Sequence, residues 1–167
     1  MPNRLLIAAL LLLLSLVPAQ AHVMLVQKSA KPGSEFLASF RVGHGCAGSP
    51  TVALRVELPA TLSRVTVPAK PGWTEKLERS ADGHVRAVLW KGTLANDKPE
   101  IFTIGMRVPN KPDVLVFPAT QTCTNAEEHW SEPPSVHGKN PAPALTVSPD
   151  GAAPDAMPDM AGMPGMH

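Results

Sequence analysis

The chain has 167 residues, 44% of them hydrophobic, with 15 Lys and Arg side chains against 14 Asp and Glu. So even a charge balance gives no footprint for nucleic acid or for an anionic membrane surface. Nineteen prolines and 12 glycines argue against a helical bundle.

In chain order, residues 1–4 carry one basic side chain, and residues 5–16 are apolar except for Ser15. Val17-Pro18-Ala19-Gln20-Ala21 follows, with small residues at 19 and 21. A basic start, an apolar run too short to span a bilayer and an A-x-A site predict a signal peptide over 1–21. An uncleaved anchor is the alternative, and the clean A-Q-A signal argues against it. The expectation is a periplasmic or secreted protein whose mature chain begins at His22 and has no membrane span. Cleavage removes Arg4, leaving 14 of the 15 basic side chains against 14 acidic ones, a formal charge of zero. The remaining length is enough for one core.

"HVMLVQ" (22–27) reads as a strand that begins at once after the new terminus. "FLASFRV" (36–42) puts Phe36, Phe40 and Val42 on one face. "TVALRVEL" (51–58) puts Val52, Leu54, Val56 and Leu58 on one face, with Thr51, Arg55 and Glu57 mostly on the other. "HVRAVLWK" (84–91) follows, and "IFTIGMRV" (101–108) aligns Phe102, Ile104, Met106 and Val108. "VLVFPA" (114–119) and "ALTV" (144–147) complete the series. Period-two alternation with β-branched and aromatic residues marks half-buried antiparallel strands. Turn signals at Pro32-Gly33, Pro71-Gly72, Asp82-Gly83 and Pro109-Asn110 separate them. No amphipathic helix stands out. The pattern predicts an antiparallel β-sandwich over 22–148, of about seven to nine strands and of immunoglobulin or cupredoxin type.

Cys46 and Cys123 are the two cysteines, and in an oxidising compartment they most simply form one disulfide. The alternative is a cysteine-ligated copper, suggested by "HGC" at 44–46. A blue-copper site needs His, Cys, His and usually Met in one close group. After Cys123 the next histidine is His129, and no methionine follows before Met157.

A terminal His22 offers two nitrogens from one residue, the α-amine and imidazole Nδ1. Both can chelate one ion, and copper(II) favours such donors in a roughly square arrangement. The α-amine titrates near pH 8 and yields its proton readily to a metal. A frayed terminal histidine is the alternative, opposed by the strand that begins immediately after it. "EEHWSEP" (127–133) is the best source of an oxygen ligand, and Trp130 can wall the site or simply pack in the core. In a strand, Glu128, Trp130 and Glu132 share a face.

Several blocks then line up with a known pattern. They are His22-Val23, Pro32-Gly33-Ser34, "FRVGHGCAGSPT" (40–51), Leu58-Pro59, "PGW" (71–73) and Leu89-Trp90 with Gly92. "QTC" (121–123), Trp130-Ser131-Glu132 and "PAPALTV" (141–147) continue the order. Over nearly all of 22–148 the chain resembles the YcnI-like family of exported copper-binding domains. The resemblance implies a cupredoxin-like or immunoglobulin-like sandwich. It also implies a copper(II) site, the mono-histidine brace, on the terminal histidine with a carboxylate and a tryptophan beside it. Carried over, His22 is the brace, Trp130 the tryptophan and Glu132 the acid, with Glu35, Glu127 and Glu128 as substitutes. The implied role is copper binding or trafficking rather than catalysis, with another periplasmic copper protein or a copper transporter as partner.

Some relatives carry a C-terminal membrane helix, whereas residues 149–167 here read "PDGAAPDAMPDMAGMPGMH". This stretch lacks β-branched residues and Phe, Trp or Tyr, so a flexible tail is expected. Met157, Met160, Met163 and Met166 recur every third residue, ending in His167. A proline-rich extended chain turns about once per three residues, which aligns four thioethers. Soft thioethers select copper(I); incidental methionines in a low-complexity tail are the alternative. Two other functions compete with copper handling. One is a copper oxidase acting on polysaccharide, which also uses an N-terminal histidine but needs a second one, from among His44, His84, His129 and His137. The other is an interaction sandwich without metal.

Overall fold

A computed structural model of the protein describes residues 22–134 and 138–151. Its strands in chain order are β1 (Val23–Leu25), β2 (Ser29–Ala30), β3 (Glu35–Val42), β4 (Thr51–Glu57), β5 (Ser63–Thr66) and β6 (Trp73–Arg79). They continue as β7 (Val85–Leu94), β8 (Glu100–Arg107), β9 (Asp113–Val116), β10 (Ala119–Cys123), β11 (Glu127–Trp130) and β12 (Ala144–Val147). No helix occurs among the described residues, so none there is long and apolar enough to cross a membrane.

Period-two alternation becomes register where β3 pairs with β8. Phe40 lies opposite Phe102 and Ala38 opposite Ile104, all four buried. With its neighbours this pair forms a sheet in the order β1-β3-β8-β5. A second sheet runs β11-β10-β4-β7-β6, and a small one runs β2-β12-β9. Every pairing is antiparallel except β2 with β12. Between the two larger sheets lie Leu25, Phe40, Leu54, Val56, Val88, Trp90, Phe102 and Ile104, all fully buried. Trp90 and Trp73 both pack against Phe102, the latter edge-on at 4.8 Å between ring centres. The architecture is the expected all-β, immunoglobulin-like sandwich.

Among the described residues, twelve strands replace the expected seven to nine. The additional ones are short or lie on sheet edges, where one face and one side are left to solvent and the apolar alternation is weak. The face assignment of β4 also needs correction. Thr51 is fully buried and Val52 only half-buried, while Leu54 and Val56 point inward as expected. A register shift between Thr51 and Ala53, against β7, changes the phase of the alternation.

Cys46 and Cys123 form a disulfide with Cα atoms 5.9 Å apart, across 77 residues of chain. No free cysteine remains, which removes the thiolate-copper alternative. The chain-entropy account assigns such a loop about 4–5 kcal/mol of stabilisation. The bond holds the loop between β3 and β4 against the end of β10. Gln121 reinforces it: its Nε2 donates to the His44 carbonyl and to Thr51 Oγ1, each at 2.8 Å. A disulfide of this kind belongs to a chain that folds in an oxidising compartment.

Candidate functional site

His22 is placed by the strand that follows it. Val23 pairs with Val42 and Leu25 with Phe40, so β1 is zipped onto the edge of β3. Val23 and Leu25 are buried, while His22 is half-buried and Met24 exposed. This tether is why the histidine is held against the sandwich, as the immediate strand signal suggested.

Trp130 arrives from the other sheet. It ends β11, opposite Ala119 of β10, and is 2% exposed. The His22 and Trp130 rings stand 5.2 Å apart between centres, tilted by 37°. One edge strand of each larger sheet therefore contributes one ring to the same spot. Trp130 is at once a core residue and a neighbour of His22. Its Nε1–H is buried and has no hydrogen-bond partner. A buried polar group usually finds a partner, so this donor stands out among the buried polar atoms.

The acidic residues divide by strand alternation. Glu127 and His129 are exposed, whereas Glu128 is half-buried, like Glu132 two residues past Trp130. Glu127 bonds Thr122 and sits 3.2 Å from His129, on the outer surface. Glu35 lies at the far end of β3 from Val42 and faces Arg64 and Arg107. Neither substitute therefore belongs with Trp130. Glu132 is held by the segment that returns toward β12. Its amide donates to the Asn140 carbonyl, and its carbonyl accepts the Ala142 amide. Its carboxylate Oε2 accepts the Asn140 amide at 3.2 Å, and Glu128 Oε2 accepts Asn140 Nδ2 at 3.3 Å. Both carboxylates that flank Trp130 in sequence thus converge on Asn140. Gly138 packs directly beneath Glu132: a Cβ there would overlap Oε2. Asn140 and Gly138 escaped the sequence reading. Only the turn-like "HGKNP" at 137–141 signalled a loop.

The other histidines among the described residues are separately engaged. His44 Nδ1 is 2.6 Å from the Gly45 carbonyl, and His84 sits on an exposed turn beside Asp82. His129 lies on the outer surface between Thr120 and Glu127. His137 lies outside the described residues, as do the leader at 1–21 and Met157, Met160, Met163, Met166 and His167. Among the described residues no three His, Cys, Asp or Glu side chains cluster as a metal site. A chelate at His22 depends instead on a backbone nitrogen, the α-amine of a chain cleaved after Ala21.

Beside His22 opens a cavity of about 390 Å³, lined by Met24, Lys28, Pro134, Pro141, Ala142 and Thr146 among others. It joins β1 to the segment entering β12, and no carboxylate among the described residues lines it.

Comparison with known proteins adds a family. A domain of unknown function (DUF1775) matches residues 22–147. The chain is similar to an uncharacterized protein from Nocardia farcinica with an immunoglobulin-like fold. The TM-score is 0.65 at 27% identity, over 76% of this chain and 98% of that one. It is also similar to a type I cohesin–dockerin complex from Clostridium thermocellum, with a TM-score of 0.47 at 13% identity, over 77% and 99% of the two chains. No curated protein matches the chain. The family match runs from His22, through every strand, to the end of β12, and the chain therefore belongs to the DUF1775 family, the one expected above under the YcnI-like name.

Proposed function

We propose that this is an exported copper-binding protein of the periplasm, acting in copper trafficking or as a copper chaperone and not as an enzyme. The observation that carries the reading is the His22–Trp130 ring pair, 5.2 Å between centres. It joins the residue that becomes the mature terminus to a buried aromatic wall. The donor set suits copper(II): the α-amine and imidazole of His22 supply two nitrogens, and Glu132 supplies an anionic oxygen. With Oε2 engaged by Asn140, Oε1 is the oxygen left for the metal. Trp130 excludes water from one side, and its unpartnered Nε1–H can donate to an oxygen at the site. The tail thioethers of Met157, Met160, Met163 and Met166, with His167, form a second, softer site for copper(I). A periplasmic copper protein or copper transporter is the exchange partner.

The test uses the mature chain beginning at His22 and the same chain with one residue added before it. The authentic terminus binds one copper(II) tightly and quenches Trp130 fluorescence. The extended chain loses more than the roughly 10–100-fold that removal of an outer-shell partner costs, with an unchanged melting curve. Equal affinity in the two proteins sinks the chelate.

A further inference from the structure

Met24 sits two residues past His22 and lines the same cavity. Two residues is the spacing at which an extended chain repeats its side, with Cα atoms about 6–7 Å apart. Met24 is 39% exposed, whereas Met106, the other methionine of the described residues, is 1% exposed in the core. So Met24 contributes little packing to the sandwich, yet it stands at the mouth of a cavity beside the proposed metal terminus.

The walls of that cavity differ in character from the Trp130 side. Pro134, Pro141 and Ala142 are apolar, and Lys28 supplies the charged side chain there. A doubly charged hard ion is disfavoured by an ammonium and by the lack of a carboxylate among the described lining residues. A singly charged soft ion is penalised less, and a thioether is the ligand it prefers. His22 thus borders two environments. On one side stands the Trp130 ring, and on the other a cavity with a thioether and apolar walls leads toward β12.

We infer that Met24 is a copper(I) ligand, forming with the His22 imidazole the soft half of a site whose hard half holds copper(II). The inference rests on the copper-binding reading of His22 and adds the residue that receives the reduced metal. A small-molecule reductant such as ascorbate, or a protein one-electron donor, gives one electron to copper(II). The resulting copper(I) exchanges its carboxylate oxygen for the Met24 sulfur, and no covalent bond of the protein breaks. Passage from one half to the other presents the metal at the exposed mouth of the cavity, where an acceptor can reach it.

The test uses the full mature chain from His22 with Met157→Leu, Met160→Leu, Met163→Leu and Met166→Leu, so that Met24 is the remaining accessible thioether. It is compared with the same chain carrying Met24→Leu. Copper(I) affinity is read by competition with a chromophoric chelator, copper(II) affinity by titration, and the metal's neighbours by X-ray absorption. Met24→Leu lowers copper(I) affinity at least about tenfold and leaves copper(II) affinity unchanged. The copper potential falls by the equivalent of about 59 mV per tenfold. The copper(I) form shows a sulfur neighbour that Met24→Leu removes. Equal copper(I) affinities, or no sulfur neighbour in the Met24 protein, overturn the inference. A Met24-dependent sulfur signal in a chain that fails to bind copper(II) upholds Met24 and overturns the copper(II) chelate instead.

Discussion

A hydrogen in place of a side chain at Gly138 leaves room for the Glu132 carboxylate to accept the Asn140 amide. Even a methyl group would collide with Oε2, so the carboxylate would have to leave its place beside the Asn140 amide. Gly138→Ala should therefore act on copper(II) as Glu132→Gln does, although the one adds atoms and the other removes charge. The expected outcome is a roughly 10–100-fold weaker copper(II) site and a changed electron paramagnetic resonance spectrum. Melting should shift little, as for substitutions outside the core. If Glu132→Gln alters the spectrum and Gly138→Ala does not, the loop does not position the ligand. His22 and Trp130 stood out in the sequence as candidates, the one by an A-x-A signal just before it and the other by the family resemblance, and the fold brings their rings together. The Glu132–Asn140–Gly138 contact did not stand out. It joins residues six and eight positions apart that come together beside the parallel bridge between Glu132 and Pro141.

Edge strands carry the candidate site and several of the strands the sequence pattern missed, whereas the misassigned face belongs to the central strand β4. The core strands β3 and β8 declare themselves by alternating apolar residues. Strand β6 escapes because its chain, "WTEKLER", is half polar on the face of Trp73, Glu75, Leu77 and Arg79 and wholly polar on the other. What fixes it is pairing with β7 and an ion pair that reaches across β7 to β4. Arg55 donates to Glu78 through both Nε and a terminal nitrogen, at 3.2 and 3.0 Å. The Arg55 hydrogen bonds hold the Glu78 carboxyl below its ordinary value, while the same bonds raise the Arg55 guanidinium. Because the folded-state value of Glu78 is depressed, its contribution to stability is present above the unfolded carboxylate value. That contribution disappears as pH falls through the folded one. Glu78→Gln should thus lower the melting temperature at pH 7, and the deficit should shrink as pH falls from about 5 toward 2. The pair is partly exposed, so the effect is small. A deficit that stays constant with pH assigns the role of Glu78 to packing.

At the scale of the whole molecule, the chain that carries the proposed tail site leaves the sandwich from a strand that borders the His22 cavity. Thr146 of β12 lines the cavity that His22 lines. Past β12 the chain remains tied to β2: the Ser148 amide donates to the Ala30 carbonyl, and Ser29 Oγ bonds the Gly151 carbonyl. From Thr146 to Gly151 an extended chain covers at most about 17 Å, and Met157 is within about 20 Å more. A thioether of the tail therefore needs no rearrangement of the sandwich to come within reach of the cavity mouth, and such a tether raises the local concentration of ligand. The composition of 149–167 suggested a soft site from sequence; that the chain departs from beside the His22 cavity was not readable, because it follows from the parallel pairing of β12 with β2. Truncation after Gly151 keeps the Ser148 and Gly151 bonds, so the sandwich should melt as in the full chain. Copper(II) stoichiometry and affinity at His22 should be unchanged, while the copper(I) bound per chain falls to the share that His22 and Met24 hold. Copper(I) capacity measured by chelator competition on the two proteins decides it: equal capacity makes the tail a linker without metal. A loss of copper(II) as well makes the tail a ligand of the His22 site itself.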